Sequence, residues 1–188
     1  MQTKRFQDAQ AEIKQASDLD PLSPIIATNV GWQLNSARRY DEAITEFKRT
    51  LSLHPNFPVA LEGLCASYTA KRDIQQAMQI CRKTFELSKG AFDKGFLSLV
   101  LGRAGHTDEA RKLLQELKTE SSQRYLPKTA LALAHLGLNE KEEALLMLEK
   151  DVEEHGYWVG SFAIEAELDE LRSEPRFKAL MKKVNLPE

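Results

Sequence analysis

The sequence predicts an all-α protein, a solenoid of antiparallel helix pairs, and three observations lead to this. Alanines recur at intervals of 34, 34, 33 and 34 residues, and an apolar side chain follows each of them four positions later. A fixed period of this length is typical of one supersecondary unit stacked on copies of itself. The 188 residues also include only 9 glycines and 7 prolines, and no alternating strand-like run. The alanines are Ala9, Ala43, Ala77, Ala110 and Ala144, and the following apolar residues are Ile13, Phe47, Cys81, Leu114 and Leu148.

A second pattern lies upstream of four of these alanines, where a first helix presents large, small and large side chains to its partner. The small position is where two helix backbones come close together. The four quartets are Ala27, Val30, Gly31, Leu34; Leu61, Leu64, Cys65, Tyr68; Lys94, Leu97, Ser98, Leu101; and Lys128, Leu131, Ala132, His135.

In these two patterns the chain resembles the tetratricopeptide repeat family, whose signature is W-x2-L-G-x2-Y in the first helix and A-x3-F in the second, followed by proline. The resemblance implies a right-handed α-solenoid whose first helices line a concave groove. The sequence departs from the signature in the identity of several residues. The tryptophan slot holds Ala27, Leu61, Lys94 and Lys128, and the closing proline survives only as Pro21 and Pro55.

The residues that start and end helices, such as proline, glycine and capping residues, predict four and a half repeats and a C-terminal cap. Residues 1–20 form a half repeat with the second helix only, and 24–156 hold four repeats at 24–57, 58–90, 91–124 and 125–156. Within the last two repeats the helices are predicted at 91–103, 107–119, 125–137 and 140–154. Residues 157–188 form the capping helices, with one helix to about Leu171 and another beginning near Ser173.

Terminal repeats usually have a polar outer face, whereas the half repeat begins as an interior unit does. We therefore expect the chain to be a piece of something longer, or to self-associate through this end. The stretch from Leu171 to Pro187 also resembles the end of repeat domains that follow an effector domain in bacterial multidomain regulators.

Composition argues against several classes of function. A net charge of −2 gives no surplus of cations for nucleic acid. The chain has no glycine-rich phosphate loop, nucleophile elbow or His-Glu-x-x-His motif, so we expect no enzyme activity. The histidines lack ligand spacing, so we expect no metal and no cofactor. Acid pairs such as Glu142-Glu143 are interpreted as solvated helix faces, within a strongly acidic stretch from Asn139 to Leu171.

No apolar stretch is long enough for a membrane span, and the polar start lacks a signal-peptide core. Cys65 and Cys81 are expected as reduced core residues, with a disulfide or a reactive thiol as alternatives. These features predict a soluble, cytoplasmic protein, or a periplasmic one if the chain is a fragment of a membrane regulator.

The predicted concave groove carries the candidate binding residues, and we expect it to take a protein or peptide partner. Its residues are Ile25, Thr28, Trp32, Asn35, Val59, Glu62, Ala66, Phe92, Phe96, Leu99, Leu126 and Leu133. Co-chaperone members of the family grip a terminal carboxylate with lysine, asparagine and arginine. Here those places hold Thr28, Trp32, Gly63, Phe92 and Phe96, so that clamp is missing. Side-chain burial of an apolar or amphipathic segment is predicted instead. Filling of the groove by the cap is the alternative.

A basic edge is a second candidate surface, formed at the turns that lead into the second helices. Its residues are Arg38, Arg39, Lys71, Arg72 and Arg103. An acidic partner could dock there. The alternative is that these cations complement helix C-termini and pair with the acids that follow them.

Two functions are consistent with these patterns. The preferred one is a protein-protein interaction scaffold that binds an apolar or amphipathic peptide or partner helix. The alternative is a regulatory or oligomerisation domain of a larger bacterial signalling or transcriptional regulator.

Overall fold

The computed structural model describes the backbone of residues 2–187 and the side chains of Asp8 and of residues 11–187. Within that part the chain is helical and contains no strand, which confirms the all-α prediction. None of the described helices is both long and apolar enough to span a bilayer. The α-helices are α1 Gln2–Leu19, α2 Pro24–Ser36, α3 Tyr40–Leu53, α4 Pro58–Ala70, α5 Ile74–Ser88, α6 Ala91–Arg103, α7 Thr107–Gln123, α8 Lys128–Gly137, α9 Lys141–Glu153 and α10 Pro175–Lys183.

The chain forms two compact units, Met1–Leu87 and Ser88–Glu188. In the first unit, α2 packs against α1, α3 and α4. Its centre is the fully buried ring of Phe47. A Cβ atom on Gly31 would lie 2.5 Å from this ring, and one on Gly63 would also collide with it. Phe47 therefore occupies the space that two glycines leave on α2 and α4.

In the second unit, α6 and α8 form the most extensive helix contact, α7 packs against both of them, and α9 packs against α8. Glycines allow this close approach because they have no Cβ atom. A Cβ atom on Gly95 or Gly102 would collide with the backbone of Ala130 or Gly137, and one on Gly137 would lie 2.6 Å from Leu99 Cα. The two first helices thus meet backbone to backbone.

The alanine register predicted from the period is confirmed. Ala43, Ala77, Ala110 and Ala144 each have 0% exposure, and the apolar residue four positions after each is also buried. The small slots Gly31, Cys65, Ser98 and Ala132 are buried as well. Ala9 lies outside the described side chains.

The same hydrogen-bonded turn ends helix after helix. At the ends of α2, α4, α6, α8, α9 and α10, two successive amides reach back to carbonyls three and five residues earlier, as in a Schellman motif. Each turn places one residue in the left-handed region of φ. These residues are Arg38, Arg72, Gly105, Asn139, His155 and Asn185. The turn occurs with glycine at only one of the six positions, so the helix ends depend on backbone bonding more than on residue type.

The structure differs from the sequence predictions at two places in the second unit. Helix α7 runs on to Gln123, and α8 begins at Lys128 instead of residue 125. Pro127 explains the late start, because proline disfavours helical backbone in the residue before it. In place of the helix predicted to end near Leu171, two 3₁₀ helices occur at Tyr157–Ser161 and Ala166–Leu171. We refer to residues 157–171 as the cap segment.

The expectation of reduced cysteines is wrong, because Cys65 and Cys81 form a disulfide that joins α4 to α5, with Cα atoms 5.2 Å apart. Both belong to the same helix pair, one in the small slot of the first helix and one in the large slot of the second. Their alignment follows from the repeat, although the sequence pattern alone did not favour a bond. The thiol argument for a cytoplasmic location therefore fails.

We expect Ala77→Glu to lower the free energy of unfolding by about 4 kcal/mol or more, because it buries a charge in a fully packed methyl-sized slot. Gln79→Glu adds the same side chain to the exposed face of α5 and should change it by less than about 0.5 kcal/mol. Urea denaturation measures both. Similar midpoints for the two variants would contradict the alanine register.

Gly105→Ala should destabilise the protein by about 1 kcal/mol, because Gly105 has φ 85° and no atom lies within 4 Å of an added Cβ. The cost would therefore come from backbone strain alone. Gly160→Ala is the matched control, since its added Cβ also meets nothing and its φ lies outside the left-handed region. The control should not lose stability in urea denaturation, and an equal loss in both variants would exclude the strain explanation.

A thiol reductant should lower the free energy of unfolding of the first unit by about 3 kcal/mol, the loop-closure value for cysteines 16 residues apart. Thermal melts with and without reductant measure this difference. The Cys65→Ala, Cys81→Ala double variant should melt identically in both conditions. Two thiols that titrate in unreduced, unfolded protein would contradict the bond.

Candidate functional site

The α2–α4 face of the first unit carries exposed apolar side chains at equivalent positions of two neighbouring helices. Ile25 is 61% exposed and Val59 is 38% exposed, and each follows the proline that begins its helix. Proline is favoured at the first helical position because its missing N–H has no intrahelical partner there. Leu22, just before α2, is 74% exposed. This face therefore leaves apolar surface in water.

Other groove residues of the first unit are engaged within the fold. Thr28 is buried and donates to the carbonyl oxygens of Pro24 and Ile25 at 2.9 and 2.8 Å. Trp32 is half-buried, with its ring edge-on to Phe47 at 5.7 Å between centroids. Asn35 Nδ2 donates to Ser67 Oγ at 2.7 Å. Glu62 is half-buried and Ala66 is buried.

The α6–α8 face of the second unit is covered by the cap segment. Trp158 stacks on Phe92 with ring centroids 4.2 Å apart and an interplanar angle of 16°. Phe162 and Leu168 are buried against the same face. The remaining cavity has a volume of only about 10 Å³. Its lining includes Phe96, Thr129, Leu133, Glu165 and Glu167.

Asp151 fixes the start of α8 next to this face. It has 0% exposure, and its carboxylate accepts from the backbone N–H of Lys128 at 2.7 Å and from the Thr129 hydroxyl at 2.5 Å. The first amides of a helix lack intrahelical partners, so this carboxylate of α9 acts as an N-cap supplied from another helix. The backbone N–H of Gly156 donates to the Asp151 carbonyl at 2.7 Å, which sets the beginning of the cap segment.

Buried titratable groups cluster in the second unit. Burial raises the pKa of Glu167 to about 8, and the adjacent Glu165 adds to the effect. Burial also raises the pKa of Glu165, although hydrogen bonds from Ser161 and Glu167 oppose the shift. Burial lowers the pKa of His135 despite its bond to Glu140. No group of three metal-ligating side chains comes together in the described part of the chain.

Solved structures share this arrangement of helices, although the sequence itself has no close match. No protein-family model matches it, and no curated protein matches it. A chain of the APC/C hetero-tetramer Cut9–Hcn1 aligns with 96% of this chain at 16% identity and a TM-score of 0.64, and this chain spans 36% of its length.

Two crystal structures of MamA are also similar. The first covers 82% of this chain and 91% of its own at 19% identity, with a TM-score of 0.57. The second covers 86% and 87% at 18% identity, with a TM-score of 0.56. All three contain tetratricopeptide repeats. The fold is that of the tetratricopeptide repeats. At these identities the similarity establishes the fold and nothing finer.

Burial divides the residues that were predicted to line the groove into two sets. Ile25 and Val59 are exposed, with Trp32, Asn35, Glu62 and Phe92 half-buried. The others are packed inside: Thr28, Ala66, Phe96, Leu99, Leu126 and Leu133. Leu126 lies in a core cluster with Leu114, Leu117 and Leu131. Partner binding by any of these residues stays a prediction.

The basic residues are partly neutralised by acids of the same chain. Arg39 makes two bonds of 2.6 Å to the carboxylate of Glu42, and Lys71 pairs with Asp41. Arg103 Nη2 lies 2.8 Å from Glu170 Oε1. Arg38 and Arg72 are exposed at the left-handed turn positions. These pairs favour the interpretation that the cations serve the helix termini.

The acidic stretch is less solvated than its composition indicated. Asp151 and Glu167 are buried, and Arg176 of α10 binds both Glu142 and Glu149 with bonds of 2.6 to 2.9 Å. Sequence analysis missed these roles because a carboxylate that caps another helix has no local signature. Gly156, where the repeat pattern stops, was the available signal: a Cβ atom there would lie 2.5 Å from the Asp151 carboxyl carbon.

Proposed function

We propose that the protein is a protein-interaction scaffold that binds an apolar or amphipathic segment of a partner on the α2–α4 face. The exposure of Ile25 and Val59 at equivalent positions of adjacent helices carries the proposal. Full burial of an exposed aliphatic side chain contributes about 1.5 to 3 kcal/mol, and the exposed fractions of 61% and 38% leave roughly half of that to be gained at each position. Helix-in-groove recognition uses such anchors at helical spacing.

The chemistry of the face favours side-chain burial over carboxylate capture. The positions that would hold a basic clamp are Thr28, which bonds its own helix, and Trp32, which packs on Phe47. Neither offers a cation to a terminal carboxylate. A similar fold occurs in the Cut9–Hcn1 hetero-tetramer, a complex of protein chains, which supports a protein partner here.

Regulation or oligomerisation as part of a larger bacterial regulator stays a prediction, as does self-association through the N-terminal half repeat. Absence of enzyme activity, of nucleic-acid binding and of a cofactor likewise stay predictions. The division into a half repeat, four repeats and a cap also stays a prediction, with the repeats at 24–57, 58–90, 91–124 and 125–156.

The test uses fluorescein-labelled 16-residue peptides with leucine and phenylalanine at i, i+3, i+4 and i+7, and scrambled peptides of the same composition. We expect the amphipathic peptides to bind and the scrambled ones to bind weakly, by fluorescence anisotropy. The Ile25→Lys, Val59→Lys double variant should weaken binding about tenfold or more, because it removes both anchors.

Leu146→Lys is the control, since Leu146 is an apolar residue of α9 in the second unit, with 43% exposure. It should leave the dissociation constant unchanged. Equal affinity of the double variant and the control, with both proteins fully helical by circular dichroism, would remove the α2–α4 face from the proposed function.

A further inference from the structure

The second unit contains a face of the same kind with an occupant from its own chain. The cap segment lays Trp158 on Phe92 and buries Phe162 and Leu168 against α6 and α8. The space left is about 10 Å³, roughly the room for one water molecule. The side chains that fill this face are therefore two aromatic rings and a leucine, which the cap segment carries.

The backbone of the cap segment is held by few regular bonds. It consists of two 3₁₀ helices of five and six residues, a geometry with weaker hydrogen bonds than an α-helix. Arg172 Nη2 donates to the carbonyl oxygens of Ala163 at 2.9 Å and Glu165 at 3.3 Å. Side-chain packing also attaches the segment, as do the ion pairs of Glu170 with Arg103 at 2.8 Å and with Lys141 at 4.0 Å, and that of Asp169 with Arg172 at 2.7 Å. Such segments open locally before the rest of a fold does.

Two carboxyl groups lie where the cap segment meets the face. Glu167 is 4% exposed, and Glu165 and Glu167 both line the residual cavity among aromatic and leucine side chains. Because both carboxyl groups line one small apolar cavity, ionising both would place two like charges together where water is scarce, so a proton on one of them is favoured. A packing role alone would be served by apolar residues at these positions.

The surrounding groups do not supply a full countercharge. Helix α6 contributes Arg103, which favours the ionised form of Glu167 but is also paired with Glu170. Helix α8 contributes Thr129 and Leu133 to the cavity lining, and neither carries a charge. Within the segment, Ser161 hydrogen-bonds to Glu165. The docked arrangement thus depends on the shared proton.

We propose that the cap segment is a lid on the α6–α8 face, docked while Glu165 and Glu167 hold one proton between them and released when they lose it. This surface lies in the second unit, so the proposal stands independently of the α2–α4 face.

The direction of the pH dependence follows from the raised pKa values. A released segment loses the proton above the ordinary glutamate pKa of 4.5, whereas the docked segment keeps it until about pH 8. Between these values docking takes up a proton, so release becomes more favourable as the pH rises from about 5 to about 8. For one proton, the release constant changes about tenfold per pH unit in this window and levels off above it.

The first measurement is acrylamide quenching of Trp158 fluorescence in the Trp32→Phe variant, which leaves Trp158 as the single tryptophan of a chain with 2. We expect the fraction of accessible Trp158 to rise from pH 5 to pH 8 and then level off, while helicity by circular dichroism stays constant. Quenching that is equal at pH 5 and pH 9 would overturn the lid.

Glu165→Gln with Glu167→Gln, in the same background, preserves shape and removes both ionisable groups from the cavity. This variant should remain quenching-resistant at every pH. The control is Glu153→Gln with Glu154→Gln, an exposed acid pair at the end of α9, which should keep the pH response of the parent. A pH response that survives in the first variant, or disappears in the second, would also overturn the lid.

The second measurement tests whether release of the lid leaves the α6–α8 face open to the same segment added in trans. The probe is a fluorescein-labelled synthetic peptide of residues 156–172 that carries Glu165→Gln and Glu167→Gln, so its own charge does not change between the two conditions. It should bind the parent protein at least tenfold more tightly at pH 8.5 than at pH 5.5. Failure of the peptide to bind the protein at pH 8.5, or equal affinity at pH 5.5 and pH 8.5, would overturn the lid.

Discussion

The structure depends on helix backbones that approach each other closely, and small residues decide where this occurs. Ala43, Ala77, Ala110 and Ala144 have no exposed surface because a neighbouring helix occupies the space that a longer side chain would need. Glycines extend the same principle, with Gly31 and Gly63 making room for the Phe47 ring, and Gly95 and Gly102 admitting the backbone of α8. The larger residues of each repeat can pack only because these contacts fix the distance between helices.

The sequence was sufficient for the parts of the fold that repeat. The period located the alanines, and proline and glycine punctuation located most helix ends to within a few residues, because both signals are local. Burial of Phe47 and Leu148 four residues after their alanines follows from the same helical geometry. The late start of α8 after Pro127 was also readable in principle, since the restriction that proline places on its predecessor is local.

The candidate sites were less predictable, because a repeat describes neighbouring units and not where a non-repeating segment folds back. Phe92 and Phe96 were identified as groove residues, yet only the structure places Trp158 on Phe92. The Cys65–Cys81 bond depends on the rotation of α4 against α5. The roles of Asp151 and Glu167 depend on tertiary burial of carboxylates that composition alone assigns to solvent. Ile25 and Val59 were among the groove residues predicted from the sequence, and the structure leaves both exposed.

Asp151 has a consequence for how the second unit comes apart. Its carboxylate accepts from the first amide of α8 and from the Thr129 hydroxyl, its own backbone belongs to α9, and its carbonyl oxygen accepts from the Gly156 N–H just before the cap segment. Fraying of α9 from its C-terminal end would therefore remove the cap of α8 and the anchor of the following segment in the same event. The coupling runs in one direction, because the cap segment can leave its face while the bonds of Asp151 to α8 stay in place.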